Sequence, residues 1–425
     1  MSTKAIEVRV WGKSVGAVAA DPVTGYYAFE YDPAWRRSGI ELAPLTMPLT
    51  ARQEVFVFPN LADSYLHLPA LLSDALPDAF GNALIDAWMA KQGVTRASIT
   101  ALDRLAYMGR RGMGALEFRP ALGSQKESAK PIEMQQLVEA ARKVVQGDLA
   151  SDAHARAALA NIIRVGTSAG GARAKAVVAW NPQTNELRSG QFDVEPGFTH
   201  WLLKFDGIGK DFELGSSGGY GRIEYGYHLM ANAAGIDLAP CRLLEENGRA
   251  HFMTQRFDRD GNAKHHHQSL CAMAHLDYKQ RGTHGYEQLF LTIADLGLGP
   301  AAFEQAFRRM VFNVVARNCD DHTKNHGFLL RQGEGWSLAP AYDVTHAHNP
   351  AGEWTAQHLL GVNGKFDGIT RADLIAVADR FSVPNARRAI EEVVAAVVRW
   401  REFAQAAGLP PDRTAEIQLD LLSPA

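Results

Sequence analysis

Near the start of the chain, apolar and polar residues alternate: Ile6, Val8 and Val10 share one side, while Glu7, Arg9 and Trp11 share the other. A period of two is that of a half-buried β-strand. The run Tyr27-Ala28-Phe29-Glu30-Tyr31, after the turn formers Asp21-Pro22-Val23-Thr24-Gly25, predicts another strand. Residues 82–92 read as a helical stretch closed by Gly93, and the polar segment 123–131 reads as a linker that places a first boundary near residue 125. Two helical patterns follow, then strands over 176–180, 201–205 and 250–254. From about residue 283 the period becomes helical: Phe303, Ala306, Phe307, Met310, Val311 and Val314 lie on one face, and Ile390, Val393, Val394, Val397 and Trp400 repeat the pattern up to Gly408. No internal repeat or low-complexity tract interrupts this order. The pattern predicts an α+β chain with a strand-rich mixed N-terminal lobe and a mainly helical C-terminal lobe. Its expected divisions are 1–125, 126–258 and 259–425.

At 425 residues the chain exceeds what one hydrophobic core usually serves, which agrees with several subdomains. Hydrophobic content of 46%, charged content of 21% and a net charge of -3 describe an ordinary globular protein with no basic footprint for direct nucleic-acid binding. Cys241, Cys271 and Cys319 are odd in number and share no metal-ligand spacing, as expected in a reducing compartment. The first seven residues carry charge where a signal peptide needs an apolar core, and no apolar run approaches the roughly 18 residues of a membrane span. A cytoplasmic location without membrane association is the expectation.

The segment richest in chemistry is Asn318-Cys319-Asp320-Asp321-His322-Thr323-Lys324-Asn325, followed by Ala339-Pro340-Ala341-Tyr342-Asp343. Asp320 and Asn325 stand in the Asp-x-x-x-x-Asn spacing with which a kinase places a proton-accepting carboxylate and a Mg²⁺-binding amide on one loop. Asp343 is the candidate second metal ligand. The stretch between them reads strand, turn, strand over 327–338, a hairpin able to bring Asp343 back toward Asn325. His322 would orient Asp320 or a phosphate oxygen.

Upstream, Gly166-Thr167-Ser168-Ala169-Gly170-Gly171-Ala172-Arg173-Ala174-Lys175 offers small residues and cations ahead of a strand, which suits a phosphate cradle around Gly170, Gly171 and Ala172 or a flexible connection. The cluster Gly109-Arg110-Arg111-Gly112-Met113-Gly114 reads instead as structural. Lys204, on the apolar strand Trp201–Phe205, is either the lysine that holds α- and β-phosphates or a snorkelling edge lysine. Glu224, opening a helix that Gly235 would cap, is its candidate partner or a charge complementing the helix N-terminus. The strand His251–Gln255 could present its backbone to an adenine. His265-His266-His267 reads as a polar surface turn, and 230–240 lacks the flanking Arg and Lys of a DNA-binding helix-turn-helix.

Taken together, these segments make the chain resemble the HipA-type toxin serine/threonine kinases of bacterial type II toxin-antitoxin modules, over nearly its whole length. The resemblance rests on 318–325 with Asp343, on 168–175, on Arg256-Phe257-Asp258-Arg259, and on Leu76-Pro77-Asp78 and Gly112-Met113-Gly114-Ala115-Leu116. It implies a bilobal kinase-like fold, ATP and Mg²⁺ as cofactors, Asp320 as base, Asn325 and Asp343 as Mg²⁺ ligands, Lys204 on the ATP phosphates, and Gln255 and Phe257 at the adenine. It also implies an aminoacyl-tRNA synthetase as protein substrate, autophosphorylation at Ser168 as self-inactivation, and a helix-turn-helix antitoxin through which alone DNA is met. Asp321 departs from the glycine that can occur there, and its carboxylate raises a question about metal geometry. Two rivals remain open: a small-molecule phosphotransferase, and a catalytically weak corepressor partner of a DNA-binding antitoxin.

Overall fold

The computed structural model describes residues 3–77, 79–122, 133–134, 136–139, 141, 174–207 and 219–421. The chain forms two compact units that interleave in sequence. The first comprises Met1–Gly209, Gln255–Gln268 and Leu329–Gly335; the second comprises Lys210–Thr254, Ser269–Phe328 and Trp336–Ala425.

In the first unit, β1 (Ala5–Val10), β2 (Lys13–Ala20), β3 (Tyr27–Tyr31), β4 (Val55–Phe56) and β5 (Glu117–Arg119) form an antiparallel sheet in the order β4-β3-β2-β1-β5. Ile6, Val8 and Val10 are fully buried, as their alternation predicts. Gly16 on β2 is required by close approach: a Cβ there would lie 2.1 Å from the Glu30 carbonyl oxygen. The helix Ala79–Lys91 ends just before Gly93, which adopts φ +77°. The helix Ala101–Met108 opens with a reciprocal capping box between Thr100 and Asp103. A second set of strands, β6 (Lys175–Trp180), β7 (Leu187–Ser189) and β8 (Thr199–Lys204), pairs antiparallel in the order β7-β6-β8. β6 is buried along its length except at Trp180, which is why it reads as an apolar run from Ala176 onward.

The second unit contains the antiparallel pair β9 (Cys241–Glu246) and β10 (Arg249–Gln255, whose last residue belongs to the first unit), with most of the helices found among the described residues. The helix Tyr220–Ala233 packs closely because two of its positions lack side chains. A Cβ on Gly221 would lie 1.9 Å from the Ala250 carbonyl oxygen, and one on Gly226 would lie 3.0 Å from the Trp400 ring. This helix begins at Tyr220 rather than Glu224, so Glu224 lies beyond the first turn and is 2% exposed. The segment after it turns at Gly235 and leads to β9, with no second helix of a helix-turn-helix.

The helix Pro300–Val315 buries Ala306, Phe307, Met310, Val311 and Val314 as its period requires. The later helical pattern is two helices rather than one. Ala386–Val398 stops at Arg399, and Trp400–Ala406 restarts with the Trp400 ring fully buried. Strands Gly327–Leu330 and Trp336–Leu338 are neighbours in one sheet, as the turn at 331–335 predicts. Strands predominate before residue 270 and helices after it among the described residues. Among the described residues, no helix is long and apolar enough to cross a membrane.

Candidate active site

Within the second unit, two segments that the sequence singled out run side by side. Asn318 and Ala347 form a parallel bridge, the Cys319 N–H donates to the Ala347 carbonyl at 3.1 Å, and the Ala347 N–H donates to the Arg317 carbonyl at 3.1 Å. The hairpin closes where the Ala339 N–H donates to the Gly327 carbonyl at 2.9 Å. Tyr342 then donates its hydroxyl to the Lys324 carbonyl at 2.8 Å. Asp343, the next residue, is half-buried and has φ +53°, a left-handed conformation that Asp tolerates better than most residues. Its carboxylate is thus carried on a chain bonded directly to the loop that holds Asp320 and Asn325.

The loop fixes its own side chains. Asn325 donates its amide nitrogen to the Asp320 carbonyl at 2.7 Å, and its backbone N–H donates to the His322 carbonyl at 2.8 Å. With the nitrogen committed, the side-chain oxygen of Asn325 is, like the Asp343 carboxylate, a hard oxygen donor of the kind Mg²⁺ takes. The Asp320 side chain is 44% exposed, and His322 Nε2 lies 3.7 Å from it. The His322 ring meets the edge of Tyr278, and the Lys324 ammonium sits 4.7 Å above the same Tyr278 ring. Thr323 donates to the Leu276 carbonyl at 2.7 Å, pinning the loop from beneath.

Asp321 faces the other way and corrects the expectation of a carboxylate crowding the metal site. It is fully buried and accepts hydrogen bonds from the Tyr286 hydroxyl at 2.9 Å, His358 Nδ1 at 2.9 Å, and the Leu359 and Leu360 N–H groups at 2.8 and 3.3 Å. Burial works against a charge on His358, but the Asp321 carboxylate overcomes it and pushes the imidazole up to about 10. Tyr286 is driven well above its ordinary value by burial and then by Asp321, so it remains a donor.

The first unit carries Lys204, Gln255 and Phe257, whereas Glu224 belongs to the second. Lys204 ends β8 and is 9% exposed; Lys175, opening β6, lies directly opposite it in the ladder and is 2% exposed. Lys175 was legible only as part of the glycine-rich segment, because the cross-strand register that pairs it with Lys204 has no local signal. The Arg256 N–H donates to the His200 carbonyl at 2.9 Å, which places the chain carrying Gln255 and Phe257 against the start of β8. The Phe257 ring meets His267 at 5.4 Å between centroids.

Asp258 accepts from both Arg256 and Arg259, at 2.6 and 2.7 Å, and from the Gly114 N–H at 2.7 Å. Both guanidiniums also donate to the Gly112 carbonyl. The glycine cluster at 109–114 is therefore held in a buried charged knot, consistent with its structural reading. The histidine run is not a surface turn. His266–Ser269 is a strand, His266 is fully buried, Nε2 of its ring lies 3.3 Å from the Leu42 carbonyl oxygen, and burial pushes that ring down to about 4. Ser168, Gly170, Gly171 and Ala172 lie outside the described residues. Among the described residues, no three His, Cys, Asp or Glu side chains form a ready-made metal cluster.

Comparison with known proteins places this arrangement in a family. The model described as HipA-like C-terminal domain matches residues 167–401, and that described as HipA N-terminal domain matches 6–119. The chain belongs to the HipA family. A curated relative, "Putative kinase Y4mE" of Sinorhizobium fredii, is 29% identical over 125 residues; the match spans 27% of this chain and only 30% of that protein's length. The HipA, HipB and operator DNA complex of the Shewanella oneidensis MR-1 toxin antitoxin system includes a chain that aligns at TM-score 0.68 and 18% identity. The alignment covers 98% of this chain and 94% of that one, and it shows a shared fold. The Helicobacter pylori proinflammatory kinase CtkA aligns at TM-score 0.34 and 13% identity over 52% of this chain and 88% of its own, which carries no weight for the fold.

Proposed function

We propose that the protein is an ATP- and Mg²⁺-dependent serine/threonine protein kinase that acts as the toxin of a type II toxin-antitoxin module. The observation that carries the reading is the loop geometry: Asp320 is 44% exposed between buried neighbours, on a loop hydrogen-bonded to the segment that presents Asp343. Membership of the HipA family supports it.

In this reading Asp320 accepts the proton of the incoming hydroxyl and aligns it for in-line attack, while His322 steadies the carboxylate. Asn325 and Asp343 would hold Mg²⁺, which would supply positive charge to offset that of the transferring group. Lys175 and Lys204 lie opposite each other across the β6-β8 ladder, two cationic side chains of the type that binds nucleotide phosphates. Four residues along β8 separate His200 from Lys204, about 13 Å of strand, a spacing compatible with Gln255 and Phe257, beside His200, meeting the base while Lys204 meets the phosphates.

The substrate is a protein hydroxyl, on an aminoacyl-tRNA synthetase by family resemblance. Phosphate on Ser168 would add about -1.5 to -2 charge where ATP must dock, switching the enzyme off. The Shewanella complex of HipA, HipB and operator DNA supports an antitoxin partner with a link to DNA; that the antitoxin is a helix-turn-helix protein and the sole route to DNA follows from the family resemblance. The test is incubation with γ-labelled ATP, Mg²⁺ and cell lysate. Wild-type protein is expected to label protein, and Asp320→Asn and Asp343→Asn to lose that label; retention in both variants contradicts the proposal.

A further inference from the structure

Asp321 adjoins the proposed base, yet nothing in the transfer reaction calls on it. Its carboxylate is gripped from separate parts of the second unit: Oδ2 by Tyr286 and His358, and Oδ1 by the Leu359 and Leu360 N–H groups. A second layer leads back to the loop itself. Asn318 donates to Asn313 at 2.9 Å, Asn313 donates to the Tyr286 hydroxyl at 2.8 Å, and Cys319 Sγ lies 3.9 Å from His358 Nε2. Residues 318, 319 and 321 are thus all tied into one closed, buried network, and Asp320 alone in that run is substantially exposed. With 318, 319 and 321 anchored inward, the backbone on both sides of Asp320 is held, and its side chain is the one left at the surface.

Resting on the kinase reading above, we propose that Asp321 and His358 are positioning residues: they set the backbone at 320 and thereby the direction from which Asp320 meets the accepting hydroxyl. A network serving stability alone would lower the melting temperature and leave the turnover of folded enzyme unchanged. Misplacement of the base would instead lower kcat and leave ATP binding nearly as it was.

The experiment measures kcat, KM for ATP and amide hydrogen exchange at Leu359 and Leu360 in the full-length protein. Wild type is compared with Asp321→Asn, His358→Ala, His358→Gln and Asp320→Asn, each below its melting temperature. For Asp321→Asn and His358→Ala the expected result is a fall in kcat of at least about tenfold, with KM for ATP within about twofold of wild type. His358→Gln, which keeps a donor, is expected to recover most of the kcat, and the two amides are expected to exchange faster in the impaired variants. If Asp321→Asn does not fold, the two His358 variants decide the question. Loss of activity in Asp320→Asn with wild-type kcat in the His358 variants overturns the positioning role alone, whereas wild-type kcat in Asp320→Asn overturns the kinase reading with it.

Discussion

The loop at 318–325 and the knot of Arg256, Asp258 and Arg259 around Gly112 and Gly114 are built from similar materials and put them to different use. Each contains a carboxylate with no exposure, Asp258 in one and Asp321 in the other, satisfied by several donors. In the knot every charge faces another, and Arg256, like Asp258, is buried. In the loop the buried carboxylate stands next to Asp320, which is 44% exposed. A charged motif is a candidate for chemistry when one member of it is left facing outward by the locking of the others.

The comparison can be broken most severely at Asp258. Burial by itself would raise its carboxyl, but the Arg256 and Arg259 guanidiniums hold it well below the usual carboxylate range. Asp258→Ala leaves two guanidiniums without their shared anion and should destabilise the protein by about 3–5 kcal/mol, read from urea unfolding. A smaller effect, on function rather than folding, is expected at the partly exposed Asp343. Asp343→Asn should raise the Mg²⁺ concentration for half-maximal phosphate transfer by about 10- to 100-fold, with a melting temperature close to wild type.

The two regions should also fail at opposite ends of the pH scale. His358 is raised in the folded state to about 10, so its contribution is fully present below the ordinary histidine value near 6.5 and is lost as pH rises toward about 10. Asp258 is lowered, so its contribution is present above the ordinary carboxylate value and is lost as pH falls. Melting temperature followed against pH should therefore lose its alkaline slope in His358→Gln and its acid slope in Asp258→Asn. The smallest effects belong to the helix caps, one in each unit: Thr100→Ala and Thr370→Ala each remove a capping box and should cost about 1 kcal/mol. Phosphate transfer measured on either cap variant should match wild type.

What the sequence discloses about these regions depends on how local the governing interaction is. The alternation of β1, the apolar face of Pro300–Val315 and the hairpin at 327–338 are set by neighbours in sequence, and they fold as their patterns indicate. The Asp-x-x-x-x-Asn spacing of the loop is equally local. The role of Asp321 is not: its donors Leu359 and Leu360 stand 38 and 39 residues later, and nothing near Asp321 announces them. The same holds for Asp258, whose donor Gly114 lies 144 residues earlier. His266 misleads for a different reason. Three adjacent histidines look like a wet turn, yet in a strand the alternating positions face inward, and a neutral imidazole can be buried there. The stop at Arg399 is hidden because Trp400 keeps the apolar period across it.

The central claim concerns one carboxylate, and phosphate transfer from γ-labelled ATP to protein, compared in wild type and Asp320→Asn at equal folded fraction, tests it most directly. The account predicts a loss of about 10²- to 10⁴-fold with a melting temperature close to wild type, since the Asp320 side chain is 44% exposed and asparagine keeps its size. Equal transfer by the two proteins would contradict it.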